Sequence, residues 1–416
     1  MNLNELDLPY LPLEDAGFAR NPYPYLEAAR QTHPWLAKSC FGYVVHQYKA
    51  IQDLLRQDGP LQSAYDGIVD VMDARNTPWG DWTERHLLAA PNERHLRMRN
   101  VLAPKFTPRK ANENRELMRR VMSQVLDEWV PKGAFDFEEF ASYFPITVMC
   151  TMIGAPPSAI PGLRASLEAL GLSASMQRDH TPALQLAFLQ IDDFSQKLVA
   201  ARQAGERTRP ESDMLDDLLE AVAAGELTLR ELYDLLVFLF VAGFDTSKNM
   251  LTIIMSLMID HPEDYARCAV DHGYCRMVME EAFRYCSPAT LPRVTTQDII
   301  YRDVAIPEGT ALFFPVSLAG RDPTAFSHPD AFKPDHESTR HVAFGMGMHM
   351  CLGQFIARAQ IQEGLHLIAQ RIKSPKRAGP SDWRPFFGVW GMRGLPITFT
   401  PAPAAGLRLP ELELDR

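Results

Sequence analysis

Cysteine is scarce in this sequence, and its few cysteines do not form a recognisable cluster. Six cysteines occur in 416 residues, and none belongs to a CxxC pair. This spacing excludes a small disulfide-stapled scaffold, so most of the cysteines are expected to be buried thiols. They lie at Cys40, Cys150, Cys268, Cys275, Cys286 and Cys351.

A surplus of basic residues is also missing. The net charge of -10 argues against a general nucleic-acid binder, which needs Lys and Arg to neutralise phosphates. The first 18 residues carry acids and prolines where a signal peptide would have a basic start and an apolar run. We therefore expect no export signal and a cytoplasmic protein. No internal repeat is evident.

The composition and periodicity predict a soluble, mainly α protein with small β-sheets, an α+β fold. Hydrophobic residues make up 46% of the chain and charged residues 23%, which is ordinary for a globular protein with a large core. Helical periodicity predominates from residue 92 to 286 and again from 352 to 372. Alternating patterns with turn signals predict β-richer parts near 35–65, 290–318 and 385–400. Residues 66–91 show no sustained period and predict a long loop with short helical pieces.

One predicted helix is unusually long. Thr228 and Glu231 form a capping box, and the helix can continue to about Asp260, before His261-Pro262. Two apolar runs within it raise the alternative of a membrane span. Polar residues, including Asp245 and Lys248, separate these runs, and such charges are costly at a membrane midplane. A buried central helix with a polar middle is therefore the better interpretation.

The segment from Phe344 to Gly353 is the most informative motif. It reads F-G-M-G-M-H-M-C-L-G, in which Gly345 and Gly347 permit a close backbone path and Gly353 is expected to open the next helix tightly. Cys351 would lie near a helix N-terminus, where a thiolate is stabilised. A glycine-rich turn with one more buried cysteine is the structural alternative. The pattern F-G-x-G-x-H-x-C-x-G resembles the haem-ligand loop of the soluble, bacterial cytochrome P450 family.

Further motifs of that family occur in order along the chain. Glu281 and Arg284 match its ExxR pair, for which His336 or Arg340 is a candidate third partner. Gly243, Asp245 and Thr246 match its A-G-x-[D/E]-T segment. The resemblance implies that Gly243 leaves space for dioxygen, and that Asp245 and Thr246 manage protons. Four further matches imply contacts to the haem propionates: His95, Arg99, Arg293 and His349.

The resemblance implies one P450 domain over residues 1–416, with a long central helix over haem b and the cysteine loop on the opposite face. Cys351 would be the axial iron ligand, next to the cofactor contacts of Phe344, Gly345 and Gly353. A less specific prediction concerns the substrate pocket, assigned by analogy to Trp79, Trp82, Leu239, Ala242, Ala289, Thr290, Leu291, Val389 and Trp390. Such apolar surroundings favour a small hydrophobic substrate, either a terpenoid or a small aromatic compound.

The predicted function is that of a haem-thiolate monooxygenase that hydroxylates or O-dealkylates its substrate with O2. Electrons would come from a separate ferredoxin or flavodoxin, and from NAD(P)H only through such partners. A basic patch of Lys105, Arg109, Lys110 and Arg358 is a candidate docking site for the donor. A peroxide-driven peroxygenase and a non-catalytic haem-binding module are the alternatives. A monomer without nucleic-acid or membrane partners is expected.

Overall fold

The computed structural model describes residues 1–335 and 341–404, over which helices predominate. The helices are α1 (Ala16–Arg20), α2 (Tyr23–Thr32), α3 (Tyr48–Leu54), α4 (Tyr65–Val71), α5 (Pro78–Arg85), α6 (Asn92–Leu102), α7 (Pro108–Glu113), α8 (Arg115–Trp129), α9 (Phe137–Ile153), α10 (Ile160–Leu170), α11 (Thr181–Gln203), α12 (Met214–Ala223), α13 (Leu229–Asp260), α14 (Pro262–Cys268), α15 (His272–Tyr285), α16 (Val316–Ala319) and α17 (Gln354–Arg371).

The strands are short and fall into small sheets. They are β1 (Leu36–Ser39), β2 (Gly42–Val45), β3 (Leu61–Ser63), β4 (Ala134–Asp136), β5 (Thr290–Thr295), β6 (Ile299–Tyr301), β7 (Val304–Ile306), β8 (Ala311–Pro315), β9 (Ile372–Arg377), β10 (Asp382–Trp383), β11 (Met392–Arg393) and β12 (Pro396–Pro401). The largest sheet has the order β1-β2-β8-β5-β3, and a second has the order β4-β12-β9. Strands β2 and β8 pair in parallel, and their neighbours pair antiparallel.

Helix α13 is the centre of the fold. It packs against α9, α10, α11 and α17, and the predicted capping box is confirmed, because Thr228 and Glu231 exchange side-chain and backbone hydrogen bonds. In its polar middle, Lys248 Nζ lies 2.7 Å from a carboxylate oxygen of Glu138. Among the described residues, α13 is the one helix long and apolar enough to cross a membrane, yet 72% of its most apolar window is buried within the protein. The buried-helix interpretation is therefore confirmed.

The predicted order of elements agrees with the structure. The stretch 66–91, expected as a loop with helical pieces, contains α4 and α5. Pro78 and Thr77 explain the start of α5, because the Thr77 side chain caps the helix and Pro78 occupies its first turn. Most of these strands lie in the three predicted β-richer parts, whereas β4 and β9 lie outside them and β10 lies just before the third. The mainly α fold class is confirmed.

Candidate active site

The cysteine loop, residues 344–353, is shaped by two glycines. Gly345 and Gly347 have φ angles of +68° and +71°, a region that side chains disfavour. A Cβ on Gly347 would lie 2.5 Å from a backbone carbonyl oxygen, so no larger residue fits there. The loop closes where the Cys351 N–H donates to the Phe344 carbonyl oxygen at 2.8 Å.

Gly353 begins the next helix, as expected. It is the N-cap residue of α17, with an ordinary φ of -78°. A Cβ at this position would meet no protein atom within 4 Å. Its contact with a cofactor stays a prediction.

Cys351 combines an accessible side chain with surrounding protein. Its surface is exposed, although protein encloses the loop and this burial raises the pKa of the thiol. The Gly353 N–H and the charges of Arg99 and Arg358 act in the opposite direction. Cys351 therefore lies at the wall of a cleft. The Gly353 N–H and the two guanidinium groups are available there to stabilise a thiolate.

Four basic side chains gather beside this loop. The rings of His95 and His349 lie 4.3 Å apart, and His95 also contacts the carbonyl oxygens of Leu87 and Met348. Burial, followed by the charges of Arg293, His95 and Arg99, lowers the pKa of His349 to about 3. Arg99 donates to the carbonyl oxygen of Met350 at 2.7 Å. The cysteine loop and this cluster are thus one structural unit.

The Glu281–Arg284 pair is confirmed as a buried structural unit. Both side chains are buried, and Arg284 binds the two carboxylate oxygens at 2.8 and 2.7 Å. The remaining Arg284 hydrogen bonds go to backbone carbonyl oxygens, those of Gly320, Pro329 and Ala331. The Lys333 N–H adds a 2.8 Å hydrogen bond to Glu281. Backbone groups therefore satisfy this network, while His336 and Arg340 lie outside the described residues.

One face of α13 carries an accessible stripe, formed by Phe238, Ala242 and Thr246. These residues are spaced four apart and so share a face of the helix. Ala242 is exposed, and the other two are half-buried, in a helix that is otherwise mostly buried. The Thr246 hydroxyl donates to the Ala242 carbonyl oxygen at 3.1 Å. The stripe is therefore accessible surface on a helix whose other faces are mostly packed.

Asp245 points away from the stripe into a buried ion pair. Arg384 Nη1 lies 2.7 and 2.8 Å from its two carboxylate oxygens, and the Asn249 amide donates to one of them at 3.2 Å. Asp245 is 1% exposed and Arg384 is 5% exposed. Sequence reasoning did not find Arg384, because no motif links it to a helix 139 positions earlier.

Gly243 is a packing residue in this structure. A Cβ at Gly243 would lie 2.2 Å from the terminal methyl group of Met149 on α9. The expectation that its missing side chain leaves space for dioxygen is therefore wrong, because that position faces the neighbouring helix.

Several predicted pocket residues are instead packed in the core. Trp79, Trp82, Leu239 and Trp390 are at most 4% exposed, and Thr290 is 6% exposed. Trp390 stacks on Trp383 with ring centroids 4.4 Å apart. These side chains were assigned by analogy and contribute little accessible surface, so their place in the pocket stays a prediction.

The other predicted pocket residues are accessible. Ala289, Leu291 and Val389 are half-buried, and Ala289 and Val389 form an antiparallel bridge. The Leu291 side chain lies beside the cysteine loop, 3.2 Å from the position of a Cβ on Gly345. Leu291 therefore supplies apolar surface beside the loop.

Three aromatic residues were not singled out from the sequence: Tyr65 and His86, which belong to the loop expected to line the pocket, and Phe238 of the stripe itself. His86 lies 4.5 Å from Tyr65 and 5.6 Å from Phe238 between ring centroids. A helical signal did exist for Phe238, because it lies one turn before Ala242. Leu239, which the analogy selected, is on the buried side.

The predicted basic patch is neutralised by the chain's own acids. Lys105 pairs with Asp217, and Arg109 and Lys110 both pair with Glu113, at 2.8 and 2.7 Å. Arg358 pairs with Glu280 at 2.6 Å and its guanidinium lies 4.2 Å from the Phe344 ring centroid. Each cation has an acidic partner, which weakens any field directed outward.

Comparisons with known proteins place this site in a family. The cytochrome P450 family model matches residues 171–375. Luteothin monooxygenase of Streptomyces thioluteus is 30% identical over 402 residues, which cover 95% of this chain and 97% of that protein. The chain belongs to the cytochrome P450 family. Pentalenic acid synthase of Streptomyces avermitilis is a further relative of this cytochrome P450, 30% identical over 75% of this chain and 77% of that protein.

Solved structures show the same fold. Epothilone D-bound cytochrome P450epoK has a TM-score of 0.84 at 21% identity, covering 94% of this P450 and 99% of that chain. P450BioI, in complex with an acyl carrier protein ligated to hexadec-9Z-enoic acid, has a TM-score of 0.83 at 24% identity, covering 92% and 100%. As a P450 monooxygenase, this protein uses haem b and O2 and takes electrons from redox partners.

The residues present fit haem b. Arg293 is buried, with its pKa lowered by that burial, and its guanidinium donates to the Pro292 carbonyl oxygen at 2.8 Å. The Nδ1 atom of His349 is buried and has no hydrogen-bond partner among residues 1–335 and 341–404. A buried guanidinium and a buried donor without a partner suit an anionic group. The two propionates of haem b are such groups, and Cys351 offers the thiolate.

Proposed function

We propose that this cytochrome P450 hydroxylates or O-dealkylates a small hydrophobic substrate held against the Phe238–Ala242–Thr246 stripe. The accessible, small and apolar surface in the middle of α13 carries this proposal. Ala289, Leu291 and Val389 extend that surface toward the cysteine loop. A pocket of this composition favours apolar ligands with few polar groups.

In this proposal, Cys351 holds the iron of haem b through its thiolate. The basic cluster of His95, Arg99, Arg293 and His349 would bind the propionates, and Phe344 and Gly345 would contact the cofactor. Bound haem supplies the oxygen activation that the reaction requires. The Glu281–Arg284 pair positions the backbone of residues 320 and 329–333 and does not touch the reacting atoms.

Thr246 is proposed to deliver protons at the stripe, and Asp245, which points away from it, is proposed to assist when its ion pair with Arg384 opens. The Thr246 hydroxyl is accessible and can donate or accept there. Asp245 is the adjacent residue, and its carboxylate is held by Arg384. A carboxylate next to a hydroxyl, as at Asp245 and Thr246, favours a reaction in which O2 is consumed together with protons. This pair therefore argues against a peroxygenase.

The electron donor is proposed to be a separate ferredoxin or flavodoxin, in the cytoplasm. Residues Lys105, Arg109, Lys110 and Arg358 remain the proposed docking surface. Their pairing with acids implies that the donor reorganises these pairs, or that electrostatic steering contributes little.

The experiment is a screen of the haem-loaded enzyme with hydrophobic compounds. Terpenoids and small aromatic ethers that shift the haem from low to high spin are then incubated with NAD(P)H, a ferredoxin and its reductase. Hydroxylated or dealkylated product that requires O2 and the donor supports the proposal. Equal turnover with hydrogen peroxide alone would replace it with a peroxygenase.

A further inference from the structure

His86 connects the two sides of the cleft. Its ring lies 5.6 Å from that of Phe238 on the α13 stripe. The next residue, Leu87, provides the carbonyl oxygen that contacts His95 at 2.8 Å, and His95 in turn contacts the cysteine loop. The His86 side chain therefore lies beside the stripe and close to the proposed haem site.

The hydrogen bonds of His86 determine its tautomer. The backbone N–H groups of Leu88 and Ala89 lie 3.2 and 3.4 Å from Nδ1. A backbone N–H can only donate, so Nδ1 is the unprotonated nitrogen. The proton of the neutral ring is consequently on Nε2.

The Nε2–H group has no partner in the protein. His86 is 4% exposed, yet within the described part of the chain Nε2 makes no hydrogen bond and is not among the fully enclosed, unpaired atoms. Its ring is surrounded by Tyr65, Trp82 and Phe238, with centroids 4.5, 5.0 and 5.6 Å away. A buried donor without a partner is costly unless something binds to it.

The His86 ring stays neutral near physiological pH. Burial lowers its pKa to about 3, against a smaller opposing effect of its own backbone carbonyl. No cation contributes to that pKa. A carboxylate would therefore be buried here without a countercharge, which is unfavourable, whereas an uncharged oxygen would not.

We propose that the Nε2–H of His86 recognises an uncharged acceptor oxygen on the substrate and orients the substrate along the α13 stripe. This inference rests on the proposed function and refines its substrate class. The substrate is a hydrophobic molecule that carries a carbonyl, ether or hydroxyl oxygen at the end bound near Tyr65 and His86. His86 is a specificity-determining residue, because it contacts substrate without taking part in the oxidation.

Two substitutions separate this role from a structural one. His86→Asn keeps an acceptor near the position of Nδ1, for the Leu88 and Ala89 N–H groups, and removes the donor at Nε2. His86→Gln keeps a donor near Nε2 and removes the acceptor at Nδ1. If His86 only accepts the hydrogen bonds of the turn, His86→Gln should be the more harmful substitution. If His86 recognises substrate, His86→Asn should reduce ketone binding more.

The probes are cyclododecanone and cyclododecane, which have similar shape and differ in one carbonyl oxygen. Their binding to haem-loaded wild type and variants is measured by the low-spin to high-spin shift. We expect wild type to prefer the ketone about fivefold to tenfold, the effect of one net hydrogen bond. In His86→Asn the ratio of the two affinities should fall to about one, and His86→Gln should retain the preference in part.

A second measurement uses the holoenzyme with 15N-labelled histidine. The resonances absent from His86→Asn identify His86, and they should show an Nε2–H tautomer whose Nε2 signal moves with the ketone only. A proton on Nδ1, a ketone preference that survives in His86→Asn, or no preference in wild type would each overturn the proposal. Spin shifts with both probes but no oxidised product would contradict the proposed function and leave the role of His86 supported.

Discussion

The two sides of the cleft are held by different kinds of interaction. On the side of the cysteine loop, backbone torsions and charged groups fix each position, as at Gly347 and in the cluster around His349. On the side of α13, apolar packing leaves one stripe accessible and buries its neighbours. A charged cofactor of fixed shape requires particular residues, whereas an apolar substrate requires only available surface.

This contrast has consequences for mutation. A change on the cysteine side should remove haem ligation or stability outright, because few alternative residues provide a thiolate or a buried guanidinium. A change on the α13 side should leave the fold intact and alter selectivity or efficiency. The following predictions test this order, from the largest effect to the smallest.

The largest effect is expected for Cys351→His. Losing the thiolate should abolish the red-shifted Soret band of the reduced carbon monoxide complex, together with monooxygenase activity. Cys286→Ser is the control, because Cys286 is a buried thiol away from the loop. A red-shifted band that persists in Cys351→His would show that another group is the axial ligand.

Breaking the buried Glu281–Arg284 pair should cost much of the stability. Glu281→Gln removes the charge that compensates a buried guanidinium, with an expected cost of about 3–5 kcal/mol. The matched control is Asp260→Asn, which breaks the pair with Arg377, in which 56% of the Asp260 and 38% of the Arg377 side chain are exposed. That change should cost less than about 1 kcal/mol. Urea unfolding midpoints of the holoenzymes measure both, and equal shifts would contradict the structural role of Glu281.

The same difference between the two sides explains how well the sequence predicted each of them. Short motifs were sufficient to find the residues of the cysteine side, because each motif is contained in a few consecutive positions. These residues are Cys351, His95, Arg293, Glu281 and Arg284. The helices were predictable because the capping box of α13 and the Pro-initiated start of α5 are also local.

The pocket was less predictable, because burial depends on distant elements. Trp390 is buried through stacking on Trp383, and Gly243 is required by Met149 on another helix. Arg384 reaches Asp245 across much of the chain, and no local pattern indicates that contact. His86 was missed because its importance lies in a tautomer set by two backbone N–H groups.

On the α13 side, Thr246→Ala should uncouple the reaction without unfolding the protein. The lost hydroxyl makes one hydrogen bond to its own helix, so stability should change by less than about 1.5 kcal/mol. Product formed per NAD(P)H should fall several-fold, and peroxide should rise. Thr252→Ala is the matched control, because its hydroxyl makes the same kind of bond, 2.9 Å to the Lys248 carbonyl oxygen, at a fully buried position. Unchanged coupling in Thr246→Ala would remove this residue from proton delivery.

The smallest effect is expected at the proposed docking surface. Glu113 neutralises both Arg109 and Lys110, so Glu113→Gln should expose two positive charges to an acidic donor. Reduction by ferredoxin should then be about twofold faster at low ionic strength, with the gain lost as salt screens the charges. Asp193→Asn is the control, because it frees Lys197 from a similar exposed pair on α11. If Glu113→Gln and Asp193→Asn gave the same rates and salt dependence, the donor would have to dock elsewhere. The positions of the basic residues would then not identify the donor's docking site on this P450.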